Sequence, residues 1–171
     1  MRRPVAALVA TAFFAAAPGT TAGLVPWLIT GWRLPDGGTP WRVAQGLGVV
    51  LIVVGLVPPV HAFAAFVRAG GTPMPLTPTQ HLVVTGFNRH LRNPMYAGLI
   101  LVIAGQALLF RNGWLILWAA VFWATTASFV RWYEEPALAQ QFGAEYRTYR
   151  HHVPAWYPRL SPWTARPDQE T

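Results

Sequence analysis

Acids are scarce in this 171-residue chain, and two of its six stand side by side, Glu134 and Glu135, just after Arg131. Glu145 is the only other acid in the body of the chain; Asp36 falls in a connecting stretch, and Asp168 and Glu170 in a polar tail. Adjacent carboxylates at the end of an apolar run are costly unless something cationic or rich in donors is bound there. The plain alternative is a solvated helix end paired with Arg131. A second concentration of polar groups runs from Thr85 to Gly98 and contains Asn88, Arg89, His90, Arg92, Asn93, Pro94, Met95 and Tyr96. Pro94 suits the first turn of a helix. Arg92 and Asn93 then stand at a helix N-terminus, where backbone donors also favour an anionic group. Arg89 fits a positive anchor at a membrane face, and His61, alone on an apolar stretch, fits a partnered packing residue better than a ligand. With no cysteine there is no disulfide framework, thiol nucleophile or Cys-based metal site, and no metal is expected.

The elements that must position these groups are set by composition. Hydrophobic residues make up 53% and charged residues 11%, against about 25% charged in soluble domains. All thirteen bases are arginine, giving a net charge of +7. They punctuate apolar runs instead of clustering on one face, which argues against nucleic acid as partner and for membrane spans. The charge-free gaps Arg3–Arg33, Arg42–Arg68, Arg92–Arg111 and Arg111–Arg131 hold 29, 25, 18 and 19 residues, close to the roughly 20 a spanning helix needs. The expectation is an all-α, polytopic membrane protein with about four transmembrane helices, at 5–29, 43–67, 94–110 and 113–133. The third is short and should stand nearly upright or end in a thinned or protein-lined region.

Several local expectations follow. The first span, with Arg2-Arg3 ahead of it and Ala15-Ala16-Ala17 within it, has features of a cleaved signal, but its apolar run continues through Ile29, which favours an uncleaved helix bent near Pro18-Gly19. Pro58-Pro59 should kink or break the second before His61. Phe110–Trp114 is a tight turn joining the last two spans as a hairpin, and Gly70–Thr79 a cytoplasmic linker without regular structure. Arg2, Arg3, Arg68, Arg89, Arg92, Arg131, Arg147 and Arg150 fall on one side of the membrane, so both termini are expected in the cytoplasm, at the cell inner membrane. Leu138, Phe142, Tyr146, Tyr149 and Val153 recur at helical spacing with polar residues between them, an amphipathic cytoplasmic helix opened by Pro136. It reads equally as an interfacial helix or as a wall over a site. The chain thus divides into a two-span region with its linker (1–80), a hairpin with the C-terminal helix (81–160), and a tail (161–171).

The order Arg92-Asn93-Pro94-Met95-Tyr96, then Glu134-Glu135-Pro136, then Phe142-Gly143-Ala144-Glu145-Tyr146-Arg147-Thr148-Tyr149, then Val153-Pro154 resembles the isoprenylcysteine carboxyl methyltransferase family. That family is similar in turn to the phospholipid N-methyltransferases of membranes. The resemblance covers roughly His81 to Pro158; the N-terminal half matches only as hydrophobic spans. It implies a membrane methyltransferase using S-adenosylmethionine, held between the last two spans and the C-terminal segment. Carried over by position, His81, Leu82, Val83, Val84, Asn88, Arg92, Asn93, Pro94, Met95, Tyr96, Glu134 and Glu135 would bind the cofactor, with Arg131 as the catalytic residue near the reacting group. Asn88 stands where relatives often have Tyr, and Asn93 where many have His; Asn keeps a donor and an acceptor but carries no titratable proton.

The chemistry of that cofactor suits these groups. A glutamate matches its hydroxyls or ammonium, Arg and Asn donors its carboxylate, and Tyr96 an aromatic or hydroxyl contact. Methyl transfer asks the protein chiefly for alignment in a dry pocket. A carboxylate or deprotonated thiol acceptor needs no base; an amine or phenol does, and no convincing base stands out. The expected partners are membrane lipids and a lipophilic acceptor from the bilayer: a prenylcysteine-like or fatty-acid-like carboxylate, or another small lipophilic group. Two other activities compete: a membrane reductase with a nicotinamide cofactor, since sterol reductases are similar in their C-terminal parts, and a non-enzymatic membrane subunit. Cofactor titration separates the three.

Overall fold

The computed structural model describes residues 16–36, 38–68 and 82–164, and among them every regular element is helical. The chain is helical at 16–19, passes through a π turn at Thr20–Leu24, and continues as α1, Val25–Thr30, with Pro26 in its first turn. The irregularity expected at Pro18-Gly19 is therefore a single wide turn just after them. Turns of this kind leave carbonyls for outside partners. Here Gln106 Nε2 donates to Ala22 O (2.7 Å) and Trp118 Nε1 to Thr21 O (2.9 Å), which ties α1 to the following hairpin. Gln106 is buried on an otherwise apolar helix, where an unpartnered amide would be costly.

Helix α2 spans Thr39–Arg68 and runs on through Pro58 and Pro59. Of the kink or break expected before His61, a break does not occur, and the helix partner explains how. Each proline lacks the N–H that the carbonyl four residues earlier needs, so Pro59 frees the Gly55 carbonyl. That oxygen faces Gly98 of helix α3, Pro94–Leu109. A Cβ added to Gly98 would lie 2.5 Å from it, so Gly98 offers its Cα–H directly to the freed oxygen. One step along, a Cβ on Gly105 would meet Gly48 O at 2.6 Å. Gly48 and Gly55 thus pair with Gly105 and Gly98, two helical turns apart on antiparallel helices, and the backbones touch. Only glycine allows that approach. His61, exposed, sets its ring edge-on to Phe87 at 5.3 Å, the packing role expected.

Phe110–Asn112 turns the chain into α4, Gly113–Phe129; Arg111 takes φ +51 and Asn112 Oδ1 accepts from Trp114 N–H at 2.9 Å, a side-chain N-cap. Ile103, Ala107, Leu115 and Ala119 form the core between α3 and α4. A second π turn, Val130–Glu134, joins α4 to α5, Glu135–His152, with Pro136 in its first turn as expected. The helical stretch Gly113–His152 is 40 residues, more than one crossing of the hydrocarbon requires. Its apolar part is α4; α5 is polar on one face and lies beyond it.

Sequence periodicity missed a break inside α5. Gly143 has φ +52 and ψ −116, outside the helical region and open to few residues but glycine. Among the described residues two helices, Thr39–Ala65 and the apolar start of Gly113–His152, are long and apolar enough to cross a membrane, while Pro94–Leu109 is apolar but shorter. The linker Gly70–Thr79 and His81 lie outside the described residues.

Candidate functional site

The site is built where α3, the second π turn and α5 meet. Leu82–Val84 has no helix or strand, and its residues alternate in exposure. Leu82 and Val84 pack on Tyr146, Tyr149 and Val153 of the α5 end, and Val83 is exposed. Leu82 N–H donates to Glu145 Oε2 at 2.7 Å, so Glu145 holds this segment. Gly86 then takes φ +55 to start a single 3-10 turn, Gly86–Arg89. Asn88 contributes its backbone carbonyl to the Tyr149 hydroxyl (2.8 Å) while its side chain stays exposed. Burial pushes the Tyr149 hydroxyl up to about 12, so it remains a neutral donor.

Arg92 and Glu135 form the buried joint. Arg92 Nη1 donates to Glu135 Oε1 and lies 3.5 Å from the Tyr146 hydroxyl; Arg150 Nη2 reaches Glu135 Oε2 at 3.3 Å. On a straight helix Glu135 and Arg150 would stand about 22 Å apart, fifteen residues at 1.5 Å each. The break at Gly143 folds α5 back and closes that gap. Glu135, 6% exposed, is thus held by two arginines, neither of them Arg131. Arg92 Nε is also buried but has no hydrogen-bond partner among the described residues.

Glu134, one residue away, is placed differently. It is half-buried and makes no hydrogen bond or ion pair among the described residues. Burial, and then the neighbouring Glu135, hold its carboxyl above the usual range. The Tyr96 hydroxyl lies within electrostatic reach of it, and the Tyr96 ring stands edge-on to Phe122 at 6.4 Å. Arg131, exposed in the π turn, likewise has no ion pair among the described residues. It lines a cleft of about 490 Å³ with Arg92, Arg150, Glu135, Ser128 and Trp156. Three guanidinium groups face one carboxylate there.

Other expected site residues scatter. Asn93, 7% exposed, spends its amide N–H on Ala155 O at 3.1 Å. Pro94 lines an apolar groove against α2, and Met95 lines a different apolar cavity against the first π turn and α2. The segment after α5, which the resemblance placed at the site, returns to the mouth of α3 by a backbone pairing that the residue types do not show. Arg92 N–H donates to Pro154 O (2.9 Å), Arg159 N–H to His90 O (3.0 Å) and Trp163 N–H to Arg89 O (2.9 Å), while Arg89 Nε donates to Trp163 O (2.8 Å). Irregular segments pair through backbone groups with little side-chain signature.

Among comparisons with known proteins, residues 43–145 match the family described as phospholipid methyltransferase. The match starts in α2, well before the stretch that carried the sequence resemblance, and ends just past Gly143. No curated protein and no solved structure matches the chain. The chain belongs to the phospholipid methyltransferase family, a family of membrane methyltransferases.

Proposed function

We propose that this member of the phospholipid methyltransferase family transfers a methyl group from S-adenosylmethionine to the anionic end of a lipophilic acceptor, at the junction of α3, the second π turn and α5. The observation that carries this reading is the inequality of the two glutamates: Glu135 is held by two arginines, and Glu134 is half-buried without a partner among the described residues. The donor set fits the cofactor. Arg92 Nε is a buried donor left over after Glu135 is satisfied, suited to a carboxylate, and Glu134 is an acceptor suited to an ammonium or ribose hydroxyls. When bound, S-adenosylmethionine supplies a methyl group on a sulfonium sulfur that departs as a neutral thioether.

The chain's residues do the rest by position. Glu134 and Tyr96 hold one side of the cofactor, and the Leu82–Val84 segment, pinned by Glu145, closes another. Arg131 draws an anionic acceptor into the cleft and orients it, with Trp123 and Trp156 excluding water. A carboxylate oxygen attacking the methyl carbon leaves no proton to remove, so no base is required. An amine acceptor would need one and would meet the excess of guanidinium groups, which disfavours it here. In the membrane we place four spans, the helices ending in α1, α2, α3 and α4, with α5 and both termini on the cytoplasmic side of the inner membrane.

Thermal unfolding in detergent tests the cofactor. S-adenosylhomocysteine at 100 times its Kd should add about 2.7 kcal/mol of apparent stability, and NADPH none. Stabilisation by NADPH alone would favour a reductase, and by neither a non-enzymatic subunit. Topology is tested with single cysteines, since the chain has none. Leu34→Cys should react with an impermeant reagent outside intact cells and Leu160→Cys should not; the reverse pattern inverts the topology.

A further inference from the structure

The segment that follows α5 carries apolar side chains it does not bury. Leu160 is as exposed as in a free extended peptide (102%), and Tyr157 is 70% exposed. Neither exposure comes from a loose backbone. Arg159, between them, donates its N–H to His90 O at 3.0 Å, and its carbonyl accepts from His90 Nδ1 at 2.9 Å. Trp163 N–H and O are both bonded to Arg89. The two side chains are therefore presented by a fixed scaffold at the mouth of α3. Tyr157 also lines an apolar groove of about 620 Å³ with Phe87, Pro94 and Leu101, and with Val54 and Val57 of α2. Val54 and Val57 are half-exposed on a helix long and apolar enough to cross a membrane. The surface running from α2 to Tyr157 is thus continuous with one that faces lipid.

We infer that Tyr157 and Leu160 seat the returning segment in the headgroup layer of the bilayer, on the side where α3 begins, and that the lipid surface is the partner of this patch. Three features select that partner. The patch adjoins the lipid-facing side of α2, as described. Prolines at 154, 158 and 162 remove three backbone donors that a water-poor layer would leave unsatisfied. The nearby cations are turned inward: Arg159 Nη1 donates to His152 O at the end of α5 (3.1 Å), and Arg89 Nε to Trp163 O. The contact is therefore apolar and aromatic, and a tyrosine suits a layer where its ring meets acyl chains and its hydroxyl meets water. Three residues reach at most about 10 Å, so both side chains fit a headgroup layer roughly 5–8 Å deep and the first methylenes below it. The seat reaches the site through its neighbours in sequence. Ala155 O holds the Asn93 amide, and Trp156 walls the arginine-lined cleft, so the bilayer fixes one wall of that cleft at headgroup depth. This inference needs the membrane but not the methyl transfer.

The test places single spin labels in the full chain, which has no cysteine of its own, reconstituted in phosphatidylcholine vesicles. Power saturation compares collisions with oxygen, which concentrates in the bilayer, and with a water-soluble nickel chelate. Val54→Cys on α2 gives the lipid reference, and Gln141→Cys, exposed on α5, the aqueous one. Labels at Leu160→Cys and Tyr157→Cys should give oxygen-to-nickel ratios well above the Gln141 value and approaching the Val54 value. Leu160→Asp combined with Tyr157→Cys should shift the Tyr157 label toward the nickel reagent, since the anchor beside it is lost. Leu160 is fully exposed, so its substitution leaves the packing of the fold intact; should Tyr157→Cys fail to fold, Ser161→Cys reports the same shift. A Leu160 ratio equal to that of Gln141, or no shift with Leu160→Asp, would overturn the seat. A seat that forms only after anionic phosphatidylglycerol is added would make the contact electrostatic and overturn its apolar basis. Dipolar broadening of the Leu160→Cys spectrum that vanishes on dilution with unlabelled chain would put a second copy of the chain there in place of lipid.

Discussion

The packing of α2 on α3 and the joint between α3 and α5 solve the same problem by opposite means. Between α2 and α3, side chains are removed: Gly48, Gly55, Gly98 and Gly105 let the two backbones touch, and even the carbonyl freed by Pro59 is met by a Cα–H. At the α3–α5 joint, polar side chains are added, with Arg92 and Arg150 on Glu135 and tyrosines around them. Apolar surroundings give no hydrophobic force for bringing helices together and penalise stranded polar groups, so close backbone contact serves there. Where water and a ligand must be admitted, a polar joint tolerates a spare donor and an unpaired carboxylate beside it. Helices α2 and α3 contain no acid, whereas beside the polar joint Glu134 and Arg131 make no ion pair among the described residues.

The largest effect should come from the glycine contact. Gly98→Leu forces a side chain into the Gly55 carbonyl and Pro59, and the protein should give no monodisperse folded peak in size-exclusion chromatography. Gly46→Leu on the open side of α2, where nothing lies within 4 Å, should behave as the unaltered chain. Equal behaviour of the two variants would break the comparison at its first term.

Next comes the polar joint. Arg92→Ala strips Glu135 of its closest partner and should cost about 3–5 kcal/mol, as breaking a buried pair does, read from denaturant unfolding. A loss within about 0.5 kcal/mol, typical of surface changes, would make the joint decorative.

Glu134→Gln sharpens the contrast, because it should leave stability alone and weaken S-adenosylhomocysteine by about 1.5–3 kcal/mol, roughly ten- to a hundredfold by calorimetry. Since burial raises the Glu134 carboxyl, its anionic form is depleted on acidification sooner than an ordinary glutamate's. Affinity of the unaltered chain should fall as pH drops through that raised value, and the Gln variant should lack this fall. Unchanged affinity in the variant would return Glu134 to the role of a solvated helix end.

The smallest effect concerns Tyr149, raised to about 12 from an ordinary value of 10.0. Its neutral form is favoured in the fold, so its contribution is intact below pH 10 and lost between there and about 12. Tyr149→Phe should cost about 1 kcal/mol at neutral pH and show a shallower alkaline loss in thermal unfolding; an unaltered alkaline slope would place that loss elsewhere.

Much of this was legible before any coordinates. Charge gaps located α2, α3 and α4, Pro94 and Pro136 marked helix starts, and the spacing of Leu138 to Val153 gave the apolar face of α5. The seven-residue glycine spacing in α2 and in α3 was also present as a signal, but it acquires meaning only once the helices are known to be antiparallel neighbours. The Arg150–Glu135 pair was hidden for a different reason: helical periodicity keeps them far apart, and only the backbone angle at Gly143 brings them together. Asn93 shows the converse, since residue type suited a ligand contact while its amide is committed to Ala155. The unequal fates of Glu134 and Glu135 depend on partners more than forty positions away for Arg92, which local sequence does not encode.

The ladder between 89–93 and 154–163 has a consequence for how the molecule is made. Translation delivers the apolar helices first and Pro154–Trp163 after them all. A nascent chain halted before Pro154 would already have its helices to insert and both glutamates, yet the Arg92 and Trp163 backbone bonds and the Asn93 anchor would be missing. Completion of these contacts thus waits on a stretch synthesised after every described helix.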